Sequence, residues 1–532
     1  MHLQTVLLKA LFLVFVAATV VLTLYGLHLY VLLGLFLRKW RARREAQRNT
    51  IAEYGSQRAA HDWPLVTTQI PIYNEADVAE RVMRAVAAMS YPYGRHEIQI
   101  LDDSTDHTRN CIDRTAAELL SAGADVKVIR REYRAGYKAG ALAHGLRSAR
   151  GTFVAVFDAD FVPPADFLVR AIPLIATTED VACIQGRWDH LNRDESWLTR
   201  AQALGLDAHF AIEQGARAWN GLMMNFNGTA GIWRKEAIDD PRVGGWNGDT
   251  LTEDMDLSYR AQLAGWRMDY CLEIACPAEL PNTIPALKGQ QRRWATGSIQ
   301  VARKLLGRIW RSPVSWGAKC EATLHLTNHT VAIWLLLLAI LAKPMLLVFS
   351  AEGVVPGWMA PLWIAILIAA LAPSLAYAAA RYIVGGRLSG FRGIPGMFLL
   401  GSGLCLSNAL AVLRGFLARS AEFVRTPKSG SVTNVRRHSS YRASREYLWI
   451  AELFLGAYSL TSFVVYLGMH NVLYSLFLLL YAVGFLTIGW MSRPRPTGSQ
   501  PLPLGQLAHP SKLAADHPTT ASSVVSQLPA AS

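Results

Sequence analysis

Three short acidic groups follow apolar runs in this chain: Pro71-Ile72-Tyr73-Asn74-Glu75, Asp102-Asp103-Ser104-Thr105-Asp106 and Asp158-Ala159-Asp160. Asp and Asn commonly cap the next helix at such junctions, and capping alone would explain any one of them. Three in succession ask for more, because clustered carboxylates repel unless a cation or ligand compensates them. Asp158 and Asp160 alternate on an extended segment, so both can offer oxygens while a substrate diphosphate completes a metal shell. Magnesium favours such sparse carboxylate sites and manganese accepts the same ligands. Just upstream, Tyr137-Lys138-Ala139-Gly140 offers a lysine to neutralise diphosphate; the plainer alternative is a solvated surface lysine.

Further along, Thr252-Glu253-Asp254 opens a helical pattern, with Thr252 a candidate cap and the two acids candidates for chemistry. Before it lies Phe226-Asn227-Gly228-Thr229-Ala230-Gly231, a strand-to-loop element flexible enough to approach a bound sugar. After it, Gln290, Arg293 and Trp294 fall at i, i+3 and i+4 on one helix face. A guanidinium can clamp diphosphate oxygens and an indole can stack on a sugar; the same pair also serves as an interfacial membrane anchor.

The elements that must position these groups are strand-like runs (LVTTQIPIY, EIQILD, FVAVFD, VACIQGR) separated by helix-length segments. That alternation argues for a parallel α/β sheet, in which ligands bind beyond the carboxyl ends of the strands.

The chain as a whole is not that of a plain cytosolic enzyme. Of 532 residues 52% are hydrophobic and 17% charged, against about 25% charged in soluble domains. Val6 to Leu37 is almost continuously apolar and then breaks into RKWRARREAQR; a cleaved signal peptide would carry its basic cluster before a shorter core. This reads as a membrane span with a cytosolic C-terminal side. Further spans are expected at 324–349, 358–380, 447–468 and 471–491. Residues 393–417 are long enough to span, but doing so would put the seven cationic residues between Arg419 and Arg445 outside, against the positive-inside rule. An interfacial or re-entrant segment is expected there, giving five spans, with six as the alternative. The expected organisation is a first membrane helix at 1–37, a basic cytosolic linker at 38–62, a catalytic domain at 63–319, a membrane region at 320–492 that includes a cytosolic loop at 418–446, and a disordered tail at 493–532. Six cysteines without a CxxC pair suggest neither a disulfide framework nor a zinc cluster. The net charge of +13 sits largely at membrane borders and in cytosolic loops, which favours anionic lipid headgroups over nucleic acid as its partner.

Taken in order, IPxYNE, DDSTD, KAGA, DAD, FNGTAG, TED and QxxRW resemble the family 2 glycosyltransferases of the cellulose synthase superfamily, over about Pro64 to Lys319. The unbroken runs DDSTD, GYKAGAL, FDADF, NGTAGIWR and EDMDL look most like plant cellulose synthase-like mannan and glucomannan synthases. The resemblance implies a cytosolic GT-A (Rossmann-like) α/β domain inserted between transmembrane helices. It implies that Asp103 contacts the nucleotide with Tyr73 and Glu75 near the base, that Asp158 lies by the diphosphate, and that Asp160 ligates Mg2+ or Mn2+. Asp254, with Glu253 beside it, would be the general base. Gln290 and Arg293 would hold the donor diphosphate, and Trp294 the acceptor end. Phe423-Val424-Arg425-Thr426-Pro427-Lys428 is similar to the gating loop of cellulose synthase, through Phe423, Thr426 and Lys428, but has Arg425 where that loop has Val.

On these readings the leading expectation is a plasma (inner) membrane β-glycan synthase, which elongates a polymer from UDP-glucose or GDP-mannose and passes it through its own membrane helices. The alternative is a non-processive transferase acting on a lipid such as diacylglycerol or ceramide. A transporter or a catalytically dead scaffold would need no base beside a metal.

Overall fold

The computed structural model describes residues 2–352, 359–385, 388–417 and 447–494. The gating-like residues Phe423, Thr426 and Lys428, and all of the tail beyond residue 494, fall outside the described residues.

Seven strands form one sheet: β1 (Val66–Ile72), β2 (His96–Asp102), β3 (Asp125–Arg130), β4 (Phe153–Val156), β5 (Val181–His190), β6 (Gly231–Arg234) and β7 (Arg267–Ala278). Their spatial order is β3-β2-β1-β4-β6-β5-β7. Strands β1 to β4 are mutually parallel, with Ile72 opposite Asp102 and Gln69 opposite Val156. The parallel expectation needs one correction: β6 runs antiparallel to both β4 and β5. Helices cover both faces, so the sheet is buried on both sides and apolar β-branched residues dominate it. Val66, Ile70, Ile72, Ile98 and Ile100 are at most 2% exposed. They share a core with Val78, Val82 and Val86, the apolar stripe of the helix Ala76–Ala87, whose spacing of four keeps them on one face.

Five helices are long and apolar enough to cross a membrane: Val6–Gln57, Trp316–Leu346, Ile364–Ile383, Leu448–Gly468 and Tyr474–Met491. Phe391–Gly403 and Cys405–Leu417 form a pair bent by 51°, which would make a sixth if the two were one span. The basic segment from residue 38 is not a separate link, because the first helix continues unbroken through it from His2 to Gln57. Its Arg, Ala, Glu and Gln residues are good helix formers, and its cations dock on the sheet edge. Arg44 and Arg48 pair with Glu273 on β7, the Arg48 contact at 2.6 Å, and the Gln47 side-chain amide donates to the Tyr270 carbonyl at 2.9 Å.

One helix, Ile284–Arg311, ties the sheet domain to the membrane helices. The Thr283 hydroxyl accepts from the Ala286 N–H at 3.4 Å and Pro285 stands in the first turn, where its missing N–H costs nothing. Along its length, Lys288 Nζ pairs with Glu452 at 2.6 Å, both groups buried. Arg292 Nε donates to Ser407 Oγ at 2.8 Å and the Thr296 hydroxyl to the Ala411 carbonyl at 3.0 Å. Any movement of the helices Cys405–Leu417 or Leu448–Gly468 therefore acts on the helix that carries Gln290, Arg293 and Trp294.

Candidate functional site

Strand order explains where the acidic groups converge. From β1 the chain builds outward to β2 and β3, then returns to place β4 on the other side of β1. The crevice at that reversal is where open α/β sheets bind ligands. Tyr73 and Glu75 follow β1, Asp103 follows β2, and Asp158 and Asp160 follow β4. All five line a cavity of about 180 Å³, which Lys138, Asn227, Gly228, Glu253, Asp254, Gln290, Arg293 and Trp294 also line. Because β6 is antiparallel, its first residue meets the end of β4, with Gly231 opposite Val156. That is what brings the Asn227-Gly228-Thr229 turn to the carboxyl edge.

On the β2 side, Asp103 is held by the fork of Arg131, with Nε at 2.9 Å from Oδ1 and Nη2 on Oδ2. The Arg134 guanidinium lies 3.5 Å from the centre of the Tyr73 ring. Motif reading singles out neither arginine, although Arg131-Glu132-Tyr133-Arg134 directly follows β3. Asn74, with φ of 54°, knits the ends of β1 and β2 together: its N–H donates to Ser104 Oγ at 3.0 Å and its side-chain oxygen accepts from the Thr105 N–H at 2.8 Å. Tyr137 and Ala230 also take left-handed φ. Such strain, costing about 1–3 kcal/mol per residue, concentrates at functional sites.

At the centre, Lys138 Nζ sits 2.6 Å from Asp158 and 3.9 Å from Glu253, and donates to the Gly228 carbonyl at 2.8 Å. Burial opposes its charge, but Asp158, Glu253 and Asp254 outweigh burial and raise its pKa. Asp254 stands in the first turn of the helix Glu253–Leu263 and accepts from the Met255 N–H at 2.8 Å. Burial, then the neighbouring Glu253 charge, pushes its pKa up to about 7. Burial likewise raises Glu253. The two acids thus hold their protons more tightly than exposed carboxylates, as a general base working near neutrality requires. Arg293 is opposed by burial and favoured by Asp158, Glu253, Asp160 and Asp254; a guanidinium stays protonated in either case.

Gly228 has φ of +82°, and a Cβ there would lie 2.8 Å from Asp254 Oδ2 and 3.2 Å from Lys138 Nζ. Gly228→Ala is therefore expected to push the carboxylate aside and strain the turn. We expect at least about a tenfold loss of turnover, the equivalent of the 1–2 kcal/mol that left-handed backbone costs a side-chain residue, with donor binding largely kept. Turnover within a factor of two of wild type in a single-turnover assay would contradict this placement.

Two residues expected at the acceptor side lie behind it instead. Phe226 is fully buried, its ring edge-on to Trp233 at 5.7 Å, because the apolar residue of the turn points into the core. The buried Thr229 hydroxyl accepts from the Asp158 N–H at 2.9 Å and so sets that strand end. Among the described residues no three His, Cys, Asp or Glu are grouped to hold a metal. Asp158 and Asp160 at one strand end are still a fitting oxygen set for a hard cation whose remaining ligands come from a diphosphate.

A second cavity, of about 450 Å³, shares Asp254, Asn227, Gln290 and Trp294 with the first and continues between membrane helices, lined there by Leu29, Tyr377, Met397 and Leu400. Gly297 allows this junction: a Cβ on it would lie 2.7 Å from Thr252 Oγ1, so the Arg293 helix and the Asp254 helix touch through it.

The model of the family described as "Glycosyltransferase like family 2" matches residues 64–297. Glucomannan 4-beta-mannosyltransferase 7 of Arabidopsis thaliana is 32% identical over 453 residues, covering 80% of this chain and 76% of that protein. Glucomannan 4-beta-mannosyltransferase 2 of the same organism is 41% identical over 255 residues, 47% of each chain. Among solved structures, a mannosyltransferase of Pyrobaculum calidifontis in complex with GDP-Man and Mn2+ aligns with a TM-score of 0.43 at 20% identity, over 74% of this chain and 99% of that one. With a mixed α/β sheet, helices able to cross a membrane several times and similarity to these mannosyltransferases along four-fifths of its length, the chain belongs to the family 2 glycosyltransferases of the cellulose synthase superfamily, and is a multi-pass membrane hexosyltransferase.

Proposed function

We propose that the protein moves a hexose from a nucleoside diphosphate donor to the end of a β-linked glycan, with inversion at the anomeric carbon and Asp254 as the base. One observation carries this reading: Asp254, its pKa raised toward neutrality, stands where the polar cavity of the strand ends meets the cavity that continues between the membrane helices. An acceptor hydroxyl is a poor nucleophile at neutral pH, and a positioned carboxylate must take its proton as the bond forms. Asp254 does so, with Glu253 beside it.

Asp103 and Tyr73 hold the nucleoside end, and Lys138 and Arg293 meet the diphosphate. Asp160, with Asp158, would hold Mg2+ or Mn2+, which when bound neutralises charge on the leaving nucleoside diphosphate. Trp294 offers its indole face to the acceptor sugar at the mouth of the second cavity. A direct displacement turns an α-linked donor into a β-glycoside. The names of the relatives, glucomannan mannosyltransferases, favour GDP-mannose, with UDP-glucose as the second donor to try. The second cavity gives the growing chain a way out between the helices, in keeping with a processive synthase of the plasma (inner) membrane whose catalytic domain is cytosolic.

The test is to incubate membranes carrying the protein with labelled GDP-mannose or UDP-glucose and Mg2+ or Mn2+, then partition the label between organic solvent and insoluble polymer. Label in polymer, lost on chelation, is the expected result. Label that moves wholly into the solvent phase would identify a glycolipid transferase and overturn the polymer reading.

A further inference from the structure

The wall of the second cavity carries a carboxylate that the chemistry above does not use. Residues His209–Gln214 form a π-helical turn between the helices Trp197–Ala208 and Gly215–Ala218, a distortion frequent at functional sites. The turn places Glu213 beside the catalytic loop. His209 links the two, with Nε2 3.1 Å from the Asn227 side-chain amide and Nδ1 3.3 Å from Glu213 Oε2. The Asn227 oxygen accepts from Gln214, so its amide nitrogen is the donor to His209, and His209 in turn donates to Glu213.

Glu213 is held charged. Burial opposes its charge, but Arg217 and His209 outweigh burial and take its pKa well below the usual carboxylate range. Arg217, 3.0 Å away, is itself anchored to Glu321 at 2.7 Å. His209 and Arg217 both bind Glu213 through Oε2; no hydrogen bond reaches Oε1 among the described residues. The Glu213 side chain keeps 20% of its surface exposed while that of Arg217 keeps 2%. Glu213 lines the second cavity together with Trp294, Tyr377 and Leu400. At about 450 Å³ this space falls within the range of about 300–1,000 Å³ of small-ligand pockets. Its pairing of aromatic faces with a fixed acceptor oxygen suits a neutral, hydroxyl-rich ring.

We propose that Glu213 is the hydroxyl-binding carboxylate of a second acceptor subsite, which grips the sugar one ring behind the one whose hydroxyl Asp254 deprotonates. The proposal rests on the reading of Asp254 as base. The subsite makes acceptor length matter: a disaccharide reaches it and a monosaccharide does not.

The test uses the full-length protein in detergent or nanodiscs, the donor that the wild type accepts, and soluble oligosaccharide acceptors of one to four sugars. Wild type is expected to show a fall in acceptor KM from one sugar to two. Glu213→Gln replaces charge-assisted hydrogen bonds with neutral ones about half as strong and should raise KM for two or more sugars about tenfold. Its KM for a monosaccharide and its donor hydrolysis without acceptor should stay as in wild type. Tyr377→Leu, on the lining of the same cavity but outside the ion-pair chain, should give the same length signature, which guards against a folding defect in the first variant. An unchanged dependence on acceptor length in both variants overturns the subsite. A wild type that hydrolyses donor through Asp254 but uses no oligosaccharide overturns the subsite and leaves the base standing. A wild type with neither activity overturns both.

Discussion

Asp254→Asn is expected to lower glycosyl transfer at least about 10²-fold, the usual share of general-base catalysis, with donor affinity retained. Asn fills the same space and can still accept from the Met255 N–H, so the loss is chemical. The wild-type pH profile gives the same group a second signature. Its carboxylate must be ionised to accept a proton, and its pKa lies at about 7. The rate should therefore fall as pH drops below about 7 and level off above it, where an ordinary aspartate would give a flat profile down to about pH 4. Asp254→Asn should abolish this limb. A variant that keeps both the rate and the limb would remove Asp254 from the mechanism.

The second large effect belongs to Lys138. Its ammonium lies among Asp158, Glu253 and Asp254 and lowers the pKa of both Glu253 and Asp254. Lys138→Met keeps the length of the stem and removes the charge. Donor binding should weaken because the diphosphate then meets uncompensated carboxylates, and turnover should fall about 10²–10³-fold, as when a preorganised charge-stabilising group is lost. The acidic limb of the pH profile should also move to higher pH, since Asp254 loses the cation that favours its ionised form. A simple packing role for Lys138 would leave that limb where it is, so the displacement of the limb, read alongside donor titration, separates the two.

Much of the candidate cavity was legible in the sequence because Tyr73, Glu75, Asp103, Asp158 and Asp160 lie in contiguous runs at strand ends, where backbone direction brings them to one edge. Asp103 and Asp158 needed no tertiary knowledge beyond the rule that ligands sit past the carboxyl ends of parallel strands, whereas Asp254 opens a helix and follows no strand. The strand β6 was harder: only four residues long, it has no length for periodicity to show, and its antiparallel sense is a tertiary fact. Phe226 and Thr229 were misjudged for the same reason, since a turn has no period that tells which side chain faces in. Arg131 and Arg134 act on Asp103, 28 and 31 residues away, and Arg217, which holds Glu213 from one turn on, is itself anchored to Glu321, 104 residues away; no local pattern marks such distant pairs. The basic segment after the first span was legible as charge but not as helix, because its arginine run reads as a membrane border, whereas Arg44 and Arg48 dock on Glu273 of the distant strand β7.

The stereochemistry of the bond that is made tests single displacement at this site most directly. With purified protein, an α-linked donor and a soluble oligosaccharide acceptor, the anomeric configuration of the newly added sugar can be read from its one-bond carbon–proton coupling by NMR. Single displacement with Asp254 as base predicts a β-linkage in wild type and no product above background in Asp254→Asn. An α-linkage would require a second displacement or a different face of attack, and would contradict the mechanism drawn from this site.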